Sequence, residues 1–326
     1  LKKKFYSVFA FLLTAVVILA GCGDGDGNAE VNIGNLQLGT GSVGGTYYPL
    51  GTEMATVIKN NIEGYDGFDL SAVASDASVE NLLEIGDGNF DLGMTVHLPA
   101  LDALNGEGEF SDAIDNFGFM GHIYPEVMQI VTQENSDIQS IEDLAGKNVN
   151  IGPPGSGTQA AAKLILAAYG LEDGDYTPFE EGFGDAAGRI QDGNLDASFG
   201  LLGLPASGIE ELAVQRELRL LPITSEALSY IEENSGYAAI TIPSDTYDFL
   251  EEDIQAITAY AVLVASTDKI DEDLGYAMTK ALFENSSQIT HSQGAHLTKE
   301  NALLGSDNIP LHPGAEKYFK EEGLLE

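Results

Sequence analysis

The sequence holds one cysteine, Cys22, and no tryptophan. A single thiol excludes an internal disulfide, and with Cys22 in the leader region it leaves no thiol for catalysis in the folded body. Basic residues are scarce: 14 Lys and Arg stand against 52 Asp and Glu, for a formal net charge of −38. A surface this acidic repels phosphate backbones and excludes a nucleic-acid partner. It suits hydration in concentrated salt, where a Debye length of about 3 Å at 1 M quenches self-repulsion, so a halophilic source is expected. No tandem repeat of 20 to 50 residues appears, which excludes a solenoid, and the Ser/Thr-rich stalks of adhesins are missing as well. Long apolar runs are also lacking. The longest apolar run, Phe5–Ala20, falls short of the ~20 residues of a membrane-spanning helix.

That run follows Lys2, Lys3 and Lys4 and ends in small residues, the pattern of a signal peptide over residues 1–21. Leu19-Ala20-Gly21-Cys22 resembles the bacterial lipobox, which makes Cys22 the expected lipidation site and the membrane a partner through that anchor. Residues 22–31 are Gly and acid without apolar periodicity, a flexible tether. Asp24, Asp26 and Asn28 imitate the start of a calcium loop, but Ala29 and Asn35 stand where Gly and Glu are required, and no metal is expected.

From Val31 onward strand-like and helix-like segments alternate, which predicts an α/β fold of parallel β-α-β units. The length favours two lobes over one. An internal echo supports this: Asp87-Gly88-Asn89-Phe90-Asp91 and Asp192-Gly193-Asn194-Leu195-Asp196 each link a predicted helix to a short buried strand. Two similar α/β lobes facing each other place a ligand outside the carboxyl ends of their strands, in the cleft.

Two glycine-rich loops carry the chemistry. Gly39-Thr40-Gly41-Ser42-Val43-Gly44 fits a dinucleotide fingerprint in spacing, yet no acid ends the next predicted strand, Asp69–Ala74, to hold a ribose. Gly152-Pro153-Pro154-Gly155-Ser156-Gly157-Thr158 resembles a P-loop, but Thr158 occupies the position of the phosphate-binding lysine. Neither nucleotide cofactor is expected, and no cofactor of any other kind. What the loops share is a set of N–H groups and hydroxyls at a helix start, where unsatisfied donors and the helix dipole favour an anion; a carboxylate serves as well as a phosphate. Ordinary capped turns are the plainer reading of either loop alone. An enzyme would need a nucleophile, base or metal. The Ser elbow is absent, and His291 and His296, five apart, do not share one helical face. An exported α/β enzyme acting on a small anionic metabolite is therefore the weaker alternative, and no catalytic residue is assigned.

Four segments resemble the TAXI family, the TRAP-associated extracytoplasmic solute receptors: Gly39–Gly51, Ser78–Leu82, Asp143–Thr158 and Gly203–Ala206. The resemblance covers nearly everything after the tether. It implies a periplasmic-binding-protein-like fold with a ligand cleft between two α/β lobes, lobe one at residues 32–123 plus 223–326 and lobe two at 124–222. It implies a small carboxylate ligand, such as glutamate or a dicarboxylate, delivered to TRAP membrane subunits at the outer side of the cell membrane. Carried over residue by residue, Ser42, Val43, Gly44, Thr46 and Tyr47 line one wall, with Ser78 and Asn81 beneath it. Ser156, Gly157 and Thr158 form the opposing cradle, with Gly203, Leu204 and Pro205 beside them. His97 departs from the family pattern and is expected either to touch the ligand or to cap a helix. With Lys147, Lys163 and Arg189 expected elsewhere, carboxylate recognition falls to backbone and hydroxyl donors rather than an Arg fork.

Overall fold

The structure, a computed structural model, describes residues 34–326. The signal peptide, Cys22 and the tether expected above lie outside the described residues. No helix among the described residues is long and apolar enough to cross a membrane.

The fold is built twice from one unit. In the first copy, β1 (Asn35–Gly39), α1 (Tyr47–Asn61), β2 (Asp69–Val73), α2 (Ser78–Gly86) and β3 (Leu92–Val96) give a parallel sheet of order β2-β1-β3. Short α3 (His97–Asn105) and the long strand β4 (Phe117–Gln133) follow. The second copy runs β5 (Asn148–Asn150), α4 (Gly157–Ala168), β6 (Thr177–Phe179), α5 (Phe183–Asp192) and β7 (Ala197–Leu202), in the matching order β6-β5-β7. Then come α6 (Ser207–Ala213), β8 (Leu218–Leu220), α7 (Ser225–Asn234), β9 (Ala238–Ile242) and a second long strand, β10 (Ile254–Ser266). Helices α8 (Glu272–Glu284) and α9 (Pro313–Glu321) close the chain.

Every residue of β3 and β7 is buried, as parallel strands covered on both faces require. Helix α1 buries Tyr47, Leu50, Met54 and Ile58 on one stripe, the three-and-four spacing of an amphipathic helix. The echoed turns do the same work in both copies. Gly88 and Gly193 adopt positive φ (75° and 73°) at the helix ends, and the closing aspartates lock the next strand to its parallel neighbour. Asp91 accepts from Gln37 N–H at 2.8 Å and Asp196 from Asn148 N–H at 2.7 Å, while their own N–H groups donate to the carbonyls of the same partners at 3.0 Å.

Strands β4 and β10 pair antiparallel along most of their length and belong to both halves. One end of β10 pairs with β3 and the other with β9, while the far end of β4 pairs with β7 and β8. The apolar core divides across them. One cluster draws on residues up to Tyr124 and again from Ala261; two others draw on Val127 to Ala259, apart from Val96. Residues 223–259, expected with the first lobe, thus pack with the second: Leu228 and Ile231 of α7 and Ile257 join one of its clusters, Ile242 and Ile254 the other. The reason is β9, which pairs with the end of β10 beyond the crossing. Strand β4 is also longer than the Val127–Thr132 segment legible by pattern, because Gly118, Gly121 and Pro125 interrupt the apolar text.

Phe119→Ala and Phe199→Ala, one in each of the first two clusters and both fully buried, are each expected to lower stability by about 3–5 kcal/mol. Val214→Ala, at a side chain 87% exposed, should change it by less than about 0.5 kcal/mol. Urea unfolding followed by circular dichroism measures all three.

Candidate functional site

The loops after β1 and β5 leave the carboxyl ends of their strands and face one another across a cavity of about 60 Å³. That is the volume of about two waters at liquid density, and less than half of the ~150 Å³ that takes up a benzene. One wall carries Ser42, Thr46, Tyr47 and Ser78; the other carries Asn150, Ser156, Gly157, Thr158 and Phe183. Tyr124 and Glu126, from the crossing point of β4, also line it.

Ser156 is the N-cap of α4, its Oγ accepting from Gln159 N–H at 3.1 Å. Thr158 Oγ1 accepts from Leu201 N–H at 3.1 Å and ties the helix start to β7. Gly157 has no room for a side chain: a Cβ there would sit 2.5 Å from Val96 Cγ2. The first turn of α4 therefore opens into the cavity with the positive end of its dipole. On the facing wall, Ser78 Oγ accepts from Val96 N–H at 3.1 Å. Ala77, just before it, holds φ at 73°, a conformation that a residue with a Cβ seldom adopts and that strains the loop where it meets the cavity.

The walls touch. Gly203 N–H donates to Thr46 Oγ1 at 3.1 Å, and Val79 N–H to Gly155 O at 3.1 Å. A Cβ on Gly44 would overlap Gly184 across the cleft, so two glycine backbones meet directly there. Gln293, from the segment between α8 and α9, donates through Nε2 to Leu204 O at 3.1 Å.

The structure thus brings together on the cavity Ser42, Thr46, Tyr47, Ser78, Ser156, Gly157 and Thr158. It sets the other expected residues elsewhere. Val43 points outward, 68% exposed. Gly44 serves the contact with Gly184, and Leu204 and Pro205 offer carbonyls to Gln293 rather than to the cavity. Asn81 is fully buried below the loop, where it donates to Thr40 O and Met94 O at 2.7 Å each and accepts from Ser75 Oγ, so its amide is engaged within the protein. His97 packs on Tyr260 at a centroid distance of 5.4 Å and accepts from its N–H through Nδ1 at 3.2 Å. Burial pushes its imidazole down to about 4, and it lies off the cavity lining.

Glu126, Tyr124 and Asn150 were not anticipated. A signal for the first two was present: a carboxylate next to a proline inside Phe117–Val131, a stretch that is mostly apolar apart from His122 and Gln129. Glu126 is only 2% exposed, and its Oε1 has no hydrogen-bond partner among the described residues. Burial pushes its carboxyl up to about 8, while the neighbouring Tyr47 hydroxyl acts in the opposite sense. Tyr47 and Tyr124 meet edge to face at 6.2 Å. Both phenols are held well above their ordinary range, first by burial and then by Glu126. Asp76 and Glu181 complete the charged lining, Glu181 held by Arg189 at 2.6 Å; among the described residues no Lys or Arg lines the cavity.

A family model described as the NMT1-like family matches residues 38–323. Among solved structures, the chain is similar to the alkanesulfonate-binding protein SsuA from Xanthomonas axonopodis pv. citri, at 16% identity over 88% of this chain and 83% of that one, with a TM-score of 0.50. A protein from Bordetella bronchiseptica RB50 matches at 16% identity over 88% and 82%, with a TM-score of 0.52. At such identity the likeness establishes the fold, which is periplasmic-binding-protein-like.

Glu126 binds a proton more tightly in the fold, at about 8, than at its ordinary 4.5. Its contribution to stability is therefore complete below about pH 4.5 and is lost as pH rises to about 8, at about 1.4 kcal/mol per pH unit. Glu126→Gln is expected to remove that one-proton slope. Urea unfolding at stepped pH, taken as the difference between wild type and variant, reads it directly.

Proposed function

Because the chain belongs to the NMT1-like family, we propose that it is the solute-binding subunit of a transporter. It works outside the cytoplasmic membrane, held there by a lipid on Cys22. Its ligand is a small carboxylate such as glutamate or a dicarboxylate, and its partners are TRAP-type membrane subunits. The TRAP assignment rests on the loop motifs Gly39–Gly51 and Asp143–Thr158. The observation that carries the ligand class is the start of α4, where Gly157 and Thr158 open into a cavity to which Ser42, Thr46, Tyr47, Ser78 and Tyr124 bring hydroxyls. Unpaired N–H groups at a helix start attract an anion without help from a cation.

The two lobes exchange at Tyr124–Val127 on β4 and Ala259–Ala261 on β10, where the apolar clusters change over. The lobes move about that crossing to admit and release ligand. Thr46, Gly203, Gly44 and Gly184, which touch across the cleft, separate when they do.

A thermal-shift panel tests the ligand class: glutamate, glutamine, C4 and C5 dicarboxylates, 2-oxo acids, sulfonates and sugars, in molar KCl. A carboxylate at a hundredfold excess over its dissociation constant is expected to stabilise the protein by about 2.7 kcal/mol, a rise in melting temperature of about 4 °C. Thr46→Ala and Ser156→Ala should reduce that shift. A shift with sulfonates or sugars alone would replace the carboxylate assignment.

A further inference from the structure

Three oxygens in this cavity have no hydrogen-bond partner among the described residues: Tyr47 Oη, Tyr124 Oη and Glu126 Oε1. All three residues are more than nine-tenths buried, and all three line the same space. Most buried polar side-chain atoms find a partner; atoms of Asn116, His122, Ser266, Gln293 and Tyr318 lack one too, but here three converge on one cavity, where a guest completes the hydrogen bonding. Glu126 also stands where the apolar clusters change over, opposite Ala259 of β10, its backbone carbonyl accepting from Thr258 Oγ1 at 2.7 Å. Its backbone is thereby fixed while its carboxyl faces the ligand space.

A buried carboxylate beside an anionic ligand would set two like charges together in a medium that screens them poorly, with no Lys or Arg in the lining to offset them. A carboxylic acid creates no such conflict. We infer that Glu126 recognises the ligand as a neutral acid, donating its hydrogen, together with the hydroxyl hydrogens of Tyr47 and Tyr124, to an anionic oxygen of the ligand. The inference rests on the carboxylate reading given above. No bond is broken, and the proton remains on Glu126.

Burial favours the neutral form and outweighs the Tyr47 hydroxyl, which on its own favours the carboxylate. Tyr47 faces Glu126 from α1, Tyr124 from β4 itself, and Tyr237 from the loop before β9; none is a cation, and burial pushes each phenol up, out of the neutral range. The other charged groups on the cavity are Asp76 and Glu181, both carboxylates, one of them engaged by Arg189. Burial holds the Glu126 carboxyl up at about 8, so the acid is the form present at neutral pH. A protein that binds only with this proton in place shows it in the pH dependence of affinity.

The test is calorimetric titration of the full chain with glutamate, succinate, glutarate and 2-oxoglutarate from about pH 6.5 to 9, where their carboxylates stay ionised. The dissociation constant should hold steady up to about pH 8 and then weaken about tenfold per pH unit, the signature of one required proton. Glu126→Gln, whose amide N–H donates in place of the acid, is expected to bind within about tenfold of wild type at pH 6.5 and to lose the slope. Glu126→Leu, which removes the donor, should weaken binding by about 10- to 100-fold at pH 6.5, with an unchanged circular dichroism spectrum showing that it folds. An affinity that is flat or strengthens above pH 8 in wild type, or an unchanged slope in Glu126→Gln, overturns the inference and leaves the carboxylate reading standing. Failure of all four probes to bind wild type at any pH removes the carboxylate reading, and the inference with it.

Discussion

The antiparallel pairing of β4 with β10 is the constraint on which the rest of the structure depends. Each β-α-β half is a parallel sheet whose inner edge, β3 in one and β7 in the other, is covered by one of the two long strands, leaving β2 and β6 at the outer edges. Ladder hydrogen bonds along the pair hold the two halves so that the carboxyl ends of β1 and β5 look into the same cavity. Register shifts between Ala261 and Val262 and between Leu263 and Val264 add local twist to the pair close to the crossing. Side-chain identity at the crossing then matters doubly, since a residue there belongs to the scaffold and the cavity together. Glu126 is in that position, and Tyr124 two residues before it.

The electrostatics of the cavity run against the surface. Lysine and arginine form their ion pairs on the outside, as Lys59 does with Asp69, Lys147 with Asp137 and Arg219 with Glu134. Exposed pairs of this kind contribute little to stability, and less in salt. Inside, the described lining offers a helix start and hydroxyls rather than cations. Neutral donors in a desolvated space keep their strength at ionic strengths that would screen a surface lysine. For a chain with so large an excess of acid, that arrangement separates the demands of solubility from those of recognition.

Much of this was legible from local text. The D-G-N-x-D turns announced the duplicated unit, because a positive-φ glycine and a strand-locking aspartate are both short-range requirements. The loop glycines, hydroxyls and helix starts were legible for the same reason. Long-range partnerships were not. Asn81 sits one helical turn from Ser78 and looks equally available, but Thr40 O, Met94 O and Ser75, all brought in by the fold, claim its side chain. His97 follows the strand as a ligand residue would, yet Tyr260, far along the chain, turns it inward. The second lobe boundary failed likewise, since only the pairing of β9 with β10 shows on which side residues 223–259 lie.

The strand order also governs the sequence in which the molecule can be completed. β10 lies between β3 and β4 in the sheet but is among the last strands in the chain. Until it arrives, the edge of β3, five consecutive buried residues Leu92–Val96, has no partner. The second lobe, by contrast, is one continuous segment whose ends, Val127 and Thr258, are neighbours on adjacent strands. As the chain emerges from the amino end, the second lobe can gather its own contacts while the first waits for the carboxyl-terminal third. An apolar strand edge left open that long invites mispairing, so a partly made chain is most exposed to it at β3 until β10 pairs there.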